Sequence, residues 1–144
     1  NQNHEIKTKI KHLSENTKSY QKIKAVVDKN SKAIFQGKIF VDPKAQKTNG
    51  YQLSKAILLN EESEFNSKPE LEIYADDVKC SHGSTSGSLD EDAIFYLMSR
   101  GLNKNEAKKL LIKGFLIDAI ETITNNEIKK YFLNKLENKI NEHR

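Results

Sequence analysis

The spacing of apolar residues changes once along this chain, and that change limits the fold more than any other feature. Up to about Ser81, apolar and polar residues alternate in short runs: Ile6-Thr8-Ile10, Ile23-Ala25-Val27, Ala33-Phe35 and Leu71-Ile73. This is the period of strands with one wet face. Turn-type clusters separate the runs: Asp28-Lys29-Asn30-Ser31, Asp42-Pro43-Lys44, Thr48-Asn49-Gly50, Asn60-Glu61-Glu62-Ser63 and Ser67-Lys68-Pro69. After Gly87 the period becomes helical, with capping pairs at Ser88 and Glu91, Asn103 and Glu106, and Thr124 and Glu127.

The first expected helix runs from about Leu89 to Arg100 and closes at Gly101. Ala107, Leu110, Leu111, Gly114 and Asp118 trace the second, whose apolar face Phe115, Ile117, Ile120 and Ile123 widen. Ile128, Phe132, Leu136 and Ile140 trace the third. Strands followed by helices predict a mainly β chain with C-terminal helices, divided into 1–86 and 87–144. Periodicity leaves a sandwich, a barrel and a β-solenoid all open, and no strict internal repeat is visible.

Charge narrows the function. Among 144 residues, 24 Lys and Arg against 20 Asp and Glu give a net +4, and both signs are interspersed, so no nucleic-acid partner is implied. No apolar run is long enough to cross a bilayer, and the first thirty residues show no signal-peptide core, so a soluble intracellular protein without a membrane partner is expected. The single cysteine, Cys80, excludes an internal disulfide and any metal site built from several cysteines of one chain.

Cys80 and His82 lie two apart in an expected strand, so both side chains leave one face and form at most a two-ligand half-site. Residue chemistry alone favours packing for Cys80 and a turn role for His82. A hydrolase using Ser81 or Cys80 with His82 lacks an oriented base and a third group at this spacing. Asp90, Glu91 and Asp92 suit the first turn of a helix, and Asp76 and Asp77 a turn or edge, better than a metal or acid-base site.

The segments Ala75-Asp76-Asp77-Val78-Lys79-Cys80-Ser81-His82-Gly83, Leu89-Asp90-Glu91-Asp92, Phe95-Tyr96-Leu97 and Ser99-Arg100-Gly101 together resemble the signature of the SufB/SufD family of iron–sulfur cluster assembly scaffolds. Upstream, Phe35-Gln36-Gly37-Lys38-Ile39, Ala45-Gln46-Lys47-Thr48 and Lys68-Pro69-Glu70-Leu71-Glu72-Ile73 extend the similarity, which covers most of the chain from about residue 20. The cysteine and histidine standing together look like the SufD branch. Ser84 stands where relatives are expected to carry Ala.

The resemblance implies a right-handed parallel β-helix, present here in part, followed by a small helical subdomain. It also implies that the chain is a C-terminal piece of something longer, which Asn1 in place of Met suits. As in the family, a SufB-like paralogue is expected to pair through the β-helix and a SufC-type ABC ATPase through the helices. The scaffold would be non-catalytic, with His82 and Cys80 facing the SufB-like partner as transient, shared metal ligands. A nascent iron–sulfur cluster, and the flavin of the family's complex, would belong to the full complex and not to this piece alone.

Phe95, Leu97, Leu110, Leu111, Phe115 and Ile117 are the expected ATPase-docking residues, with packing between helices as the competing role. In isolation a homodimer is expected, since missing rungs uncover strand edges. Bacterial cytoplasm is the expected location, with a plastid stroma as alternative. The competing function is a β-solenoid adhesion module without metal chemistry.

Overall fold

In the computed structural model, which describes residues 2–142, the chain divides between Gly87 and Ser88 into a strand unit and a helical unit. The strand unit contains β1 (Asn3–His12), β2 (Lys18–Val27), β3 (Lys32–Val41), β4 (Thr48–Leu58), β5 (Glu64–Ile73) and β6 (Val78–Gly87). They form two parallel sheets, ordered β1-β3-β5 and β2-β4-β6, and neither closes into a barrel. Successive strands alternate between the sheets, so the chain returns to the same sheet on every second strand. Register partners lie 29 to 32 residues apart, a structural period with no matching sequence repeat.

Alternation decides which side chains face the other sheet. From β3, Phe35, Ile39 and Val41 are fully buried, while the side chains between them are only partly covered. The same parity puts Ile6, Ile10 and His12 of β1, and Ser67, Pro69 and Leu71 of β5, in register with that inner row. Ile39 and Val41 pack with Ala45 and Ala75, and Leu71, Val78 and Cys80 close over them.

The facing sheet is unlike this. β4 turns Thr48, Gly50, Gln52, Ser54 and Ala56 inward, so its inner face is largely polar. The sheets meet through hydroxyls and amides as well as methyls: Thr8 Oγ1 donates to Gln21 Oε1 at 2.6 Å, and the Ser54 and Ser67 hydroxyls lie 2.7 Å apart.

Corners stack as the strands do. Asp42 N–H reaches the His12 carbonyl at 2.9 Å and Tyr74 N–H the Val41 carbonyl at 3.0 Å. Asn16 N–H donates to Gln46 O, and Lys47 N–H to Asp77 O. Asn16, Lys29 and Lys47 each hold a positive φ in these corners, a left-handed conformation that Asn tolerates better than Lys.

Two of the expected turns are strand. Thr48-Asn49-Gly50 opens β4, and Ser67-Lys68-Pro69 lies within β5. Gly50 is there for space: a Cβ would sit 3.3 Å from Cys80 Sγ and 3.4 Å from Ile39 Cγ2. Pro69 is tolerated because β5 is the last strand of its sheet, where a lost donor costs least. The β pattern also outlasts Ser81: β6 continues through Gly83-Ser84-Thr85-Ser86 because β4 offers a paired ladder, not because those residues favour strands.

The helical unit contains α1 (Glu91–Ser99), α2 (Lys104–Ile120) and α3 (Asn126–Glu142). Asn103 and Glu106 form the expected capping box. The other two caps sit elsewhere than expected. Asp90, not Ser88, accepts the Asp92 and Ala93 N–H groups, and Asn125, not Thr124, accepts those of Glu127 and Ile128. In each case the residue next to the helix outcompetes the more distant hydroxyl. Gly101 ends α1 at φ 100°.

Candidate functional site

Strand β6 carries both chemically distinctive side chains, and β4 dictates their direction. Gly50 pairs with Cys80 and Gln52 with His82. In-register residues of parallel neighbours share a face, so Cys80 and His82 stand together on the side that Gly50 and Gln52 turn inward. Cys80 is half-buried and packs on the Ile39 and Val41 cluster, its Sγ filling the space above Gly50. His82 is exposed. Among the described residues β6 is the last strand of its sheet, as β5 is of the other, so the pair sits on a strand paired on one side only.

Thiol and imidazole suit iron, yet a stable site takes more ligands than two. Among the described residues, no group of three or more His, Cys, Asp or Glu converges to hold a metal ion. Farther along β6, Ser84, Thr85 and Ser86 line an open cleft of about 410 Å³ with Asn66, Ser67 and Lys68. That cleft holds neither Cys80 nor His82.

His12, which the sequence reading passed over, stands in the same interior. It is 4% exposed, and its two ring nitrogens meet the Thr17 hydroxyl at 2.7 Å and the Ser19 hydroxyl at 2.8 Å. The Thr17 hydroxyl also lies 3.1 Å from the Ser14 carbonyl and 3.0 Å from the Thr48 hydroxyl, so both nitrogens of the neutral His12 ring are satisfied in either tautomer. Burial pushes the His12 imidazole below its ordinary pKa. The signal for His12 was its parity with Ile6 and Ile10.

In the helical unit, α1 packs on α2 and α2 on α3. Ile94 and Ala107, absent from the expected docking set, are its buried residues. Within that set, Phe95 is 73% exposed and Leu110 47% exposed, whereas Leu97, Leu111, Phe115 and Ile117 are half-buried. Asp90 is occupied as a cap, as its position suggested. Helix α3 half-buries Leu133, Leu136 and Ile140 and leaves Ile128, Tyr131 and Phe132 exposed, so its covered stripe is rotated from the expected one. No described helix is long and apolar enough to cross a membrane.

Residues 1–115 match the family model for the SUF system FeS cluster assembly, SufBD core domain. The chain is 37% identical over 132 residues to the iron–sulfur cluster assembly protein SufD of Escherichia coli, covering 92% of this chain and 31% of that protein. It is 32% identical over 133 residues to Bacillus subtilis SufD, covering 92% and 30%. A chloroplastic protein of Arabidopsis thaliana, ABCI7, is 41% identical over 104 residues, covering 72% and 22%. The chain thus spans less than a third of the length of each of these relatives.

Proposed function

The chain belongs to the SufBD family of iron–sulfur cluster assembly proteins, and from that membership we propose that it is the C-terminal part of a SufD-type scaffold subunit that performs no chemistry alone. Its two sheets are coils of a right-handed parallel β-helix. A SufB-like paralogue pairs at the open edges of β5 and β6, and a SufC-type ABC ATPase docks on the helices. The nascent cluster is the complex's cargo, held transiently by His82 and Cys80 together with groups of the SufB-like subunit. The protein works in the bacterial cytoplasm or a plastid stroma.

One observation carries this reading: His82 is exposed beside Cys80 on a terminal strand, where ligands from a second chain have access. An unpaired strand edge is also a template for another β structure. Exposed Phe95 and Leu110 suit the docking of a protein partner.

Co-purification with SufB-like and SufC-type partners followed by iron and sulfide loading tests the reading. His82→Ala is expected to keep the complex and lower cluster yield about tenfold or more, the scale of losing a metal-site group. Full yield from an intact His82→Ala complex would remove the site, and failure to form any complex with the wild-type chain would remove the scaffold.

A further inference from the structure

The polar inner face of β2, β4 and β6 contains a row that packing does not explain. Gln21, Gln52 and His82 occupy matching positions on these three strands. Gln21 is 8% and Gln52 2% exposed. Of the four polar atoms in their two amides, only Gln21 Oε1 has a partner, the Thr8 hydroxyl at 2.6 Å. Gln21 Nε2, Gln52 Nε2 and Gln52 Oε1 are buried with no hydrogen-bond partner among the described residues.

A buried polar group left unpaired is destabilising, and three in one place call for a partner. The fold makes room for the Gln52 amide. Gly37 faces Gln52 from the opposite sheet, and a Cβ there would lie 1.6 Å from Gln52 Nε2. Neighbouring strands stand about 4.8 Å apart, close enough for one water to bridge the two amides. An internal water takes two to four such polar partners, and Gln21 Nε2, Gln52 Nε2 and Gln52 Oε1 are open to it.

We propose that this row is a hydrated file: Thr8 bonds Gln21, bound water joins Gln21 to Gln52, and a further water joins Gln52 to the His82 imidazole. Gln52 is thereby a positioning residue for His82, holding the ring from its inner side. The positioning limb deepens the cluster-site reading and rests on it. Hydration of the two glutamines does not. The rival arrangement is a dry ladder in which Gln21 Nε2 bonds Gln52 Oε1 directly, which still strands Gln52 Nε2.

Water-selective NMR cross-relaxation to the side-chain amide protons of Gln21 and Gln52 decides between them. Long-lived water cross-peaks at both glutamines are expected in the wild-type protein, with loss of the Gln21 cross-peak in Gln52→Leu. His82 ring-nitrogen shifts are expected to move in Gln52→Leu and not in Ser86→Ala. An amide-to-amide bond without water cross-peaks overturns the file, and unmoved His82 ring signals in a folded Gln52→Leu overturn the positioning role.

The wild-type water measurement stands alone if Gln52→Leu does not fold, and Gln21→Met then supplies the second arm through loss of the Gln52 cross-peak. Cluster yield from His82→Ala is read separately. Full yield there together with water at both glutamines would retire the cluster site and leave the hydrated interior in place.

Discussion

Gly37 shows how one missing methyl organises the interior. A Cβ at this position meets Phe35 Cζ at 2.5 Å as well as the Gln52 amide, and the Phe35 ring is fully buried with nowhere to retreat. Overpacking of this kind costs typically 1–3 kcal/mol, so Gly37→Ala should lower the urea midpoint by that equivalent without changing the slope. Ile39→Ala works in the other direction, emptying the fully buried centre of the cluster. It should cost about 2–5 kcal/mol in the same assay.

His12 adds a pH dependence whose sign follows from its burial. Its folded pKa is depressed, so the folded state keeps the ring neutral while the unfolded chain takes up a proton near pH 6.5. Above about pH 6.5 neither state binds that proton and the contribution is constant. As pH falls from there toward the folded pKa, stability is lost. Urea midpoints at neutral and mildly acidic pH should therefore fall more for wild type than for His12→Asn, and equal falls would sink the assignment. At this scale the sequence was legible by parity: Phe35, Cys80 and His82 fell on the rows alternation gave them. Gln21 and Gln52 have the same parity, but polar residues at inner positions read as solvent-facing until the opposing sheet is seen.

Elements were legible wherever local chemistry and tertiary pairing agreed. The Asn103 and Glu106 box satisfies two backbone donors reciprocally and marks the start of α2 without help from packing. Asn103→Ala should lower helical-unit stability by about 0.5–2 kcal/mol, measurable by thermal circular dichroism. Asp90→Ala should cost a similar amount, whereas Ser88→Ala should cost little, since Asp90 supplies the cap to α1. Thr48-Asn49-Gly50 and Ser67-Lys68-Pro69 misled because turn chemistry is local and a parallel ladder is not. Their strand partners lie about thirty residues away, beyond the reach of any short window. The rotation of α3 has a similar cause: Ile128, Leu133 and Ile140 are all apolar, and only its packing on α2 selects which of them are covered.

Across the whole molecule, the choice among sandwich, barrel and stacked coils was invisible to periodicity, because each uses the same alternation. The likeness to the SufB/SufD signature implied parallel strands, and the two open parallel sheets agree with that much. Among the described residues, β1 and β2 at one end and β5 and β6 at the other pair with a strand on one side only. Isolated chains should therefore self-associate with rising concentration, which light scattering coupled to size exclusion would register. Adding a SufB-like partner should suppress that association if β5 and β6 are its docking edges, and unchanged self-association in a formed complex would direct the partner elsewhere.

The offset of 29 to 32 residues between paired strands also gives evolution a unit of currency. A chain of this kind can lengthen or shorten by one complete circuit and keep every inward residue inward. An insertion of one residue within a strand turns its downstream inner row outward, so length variation among natural members should concentrate at the corners or arrive in whole circuits.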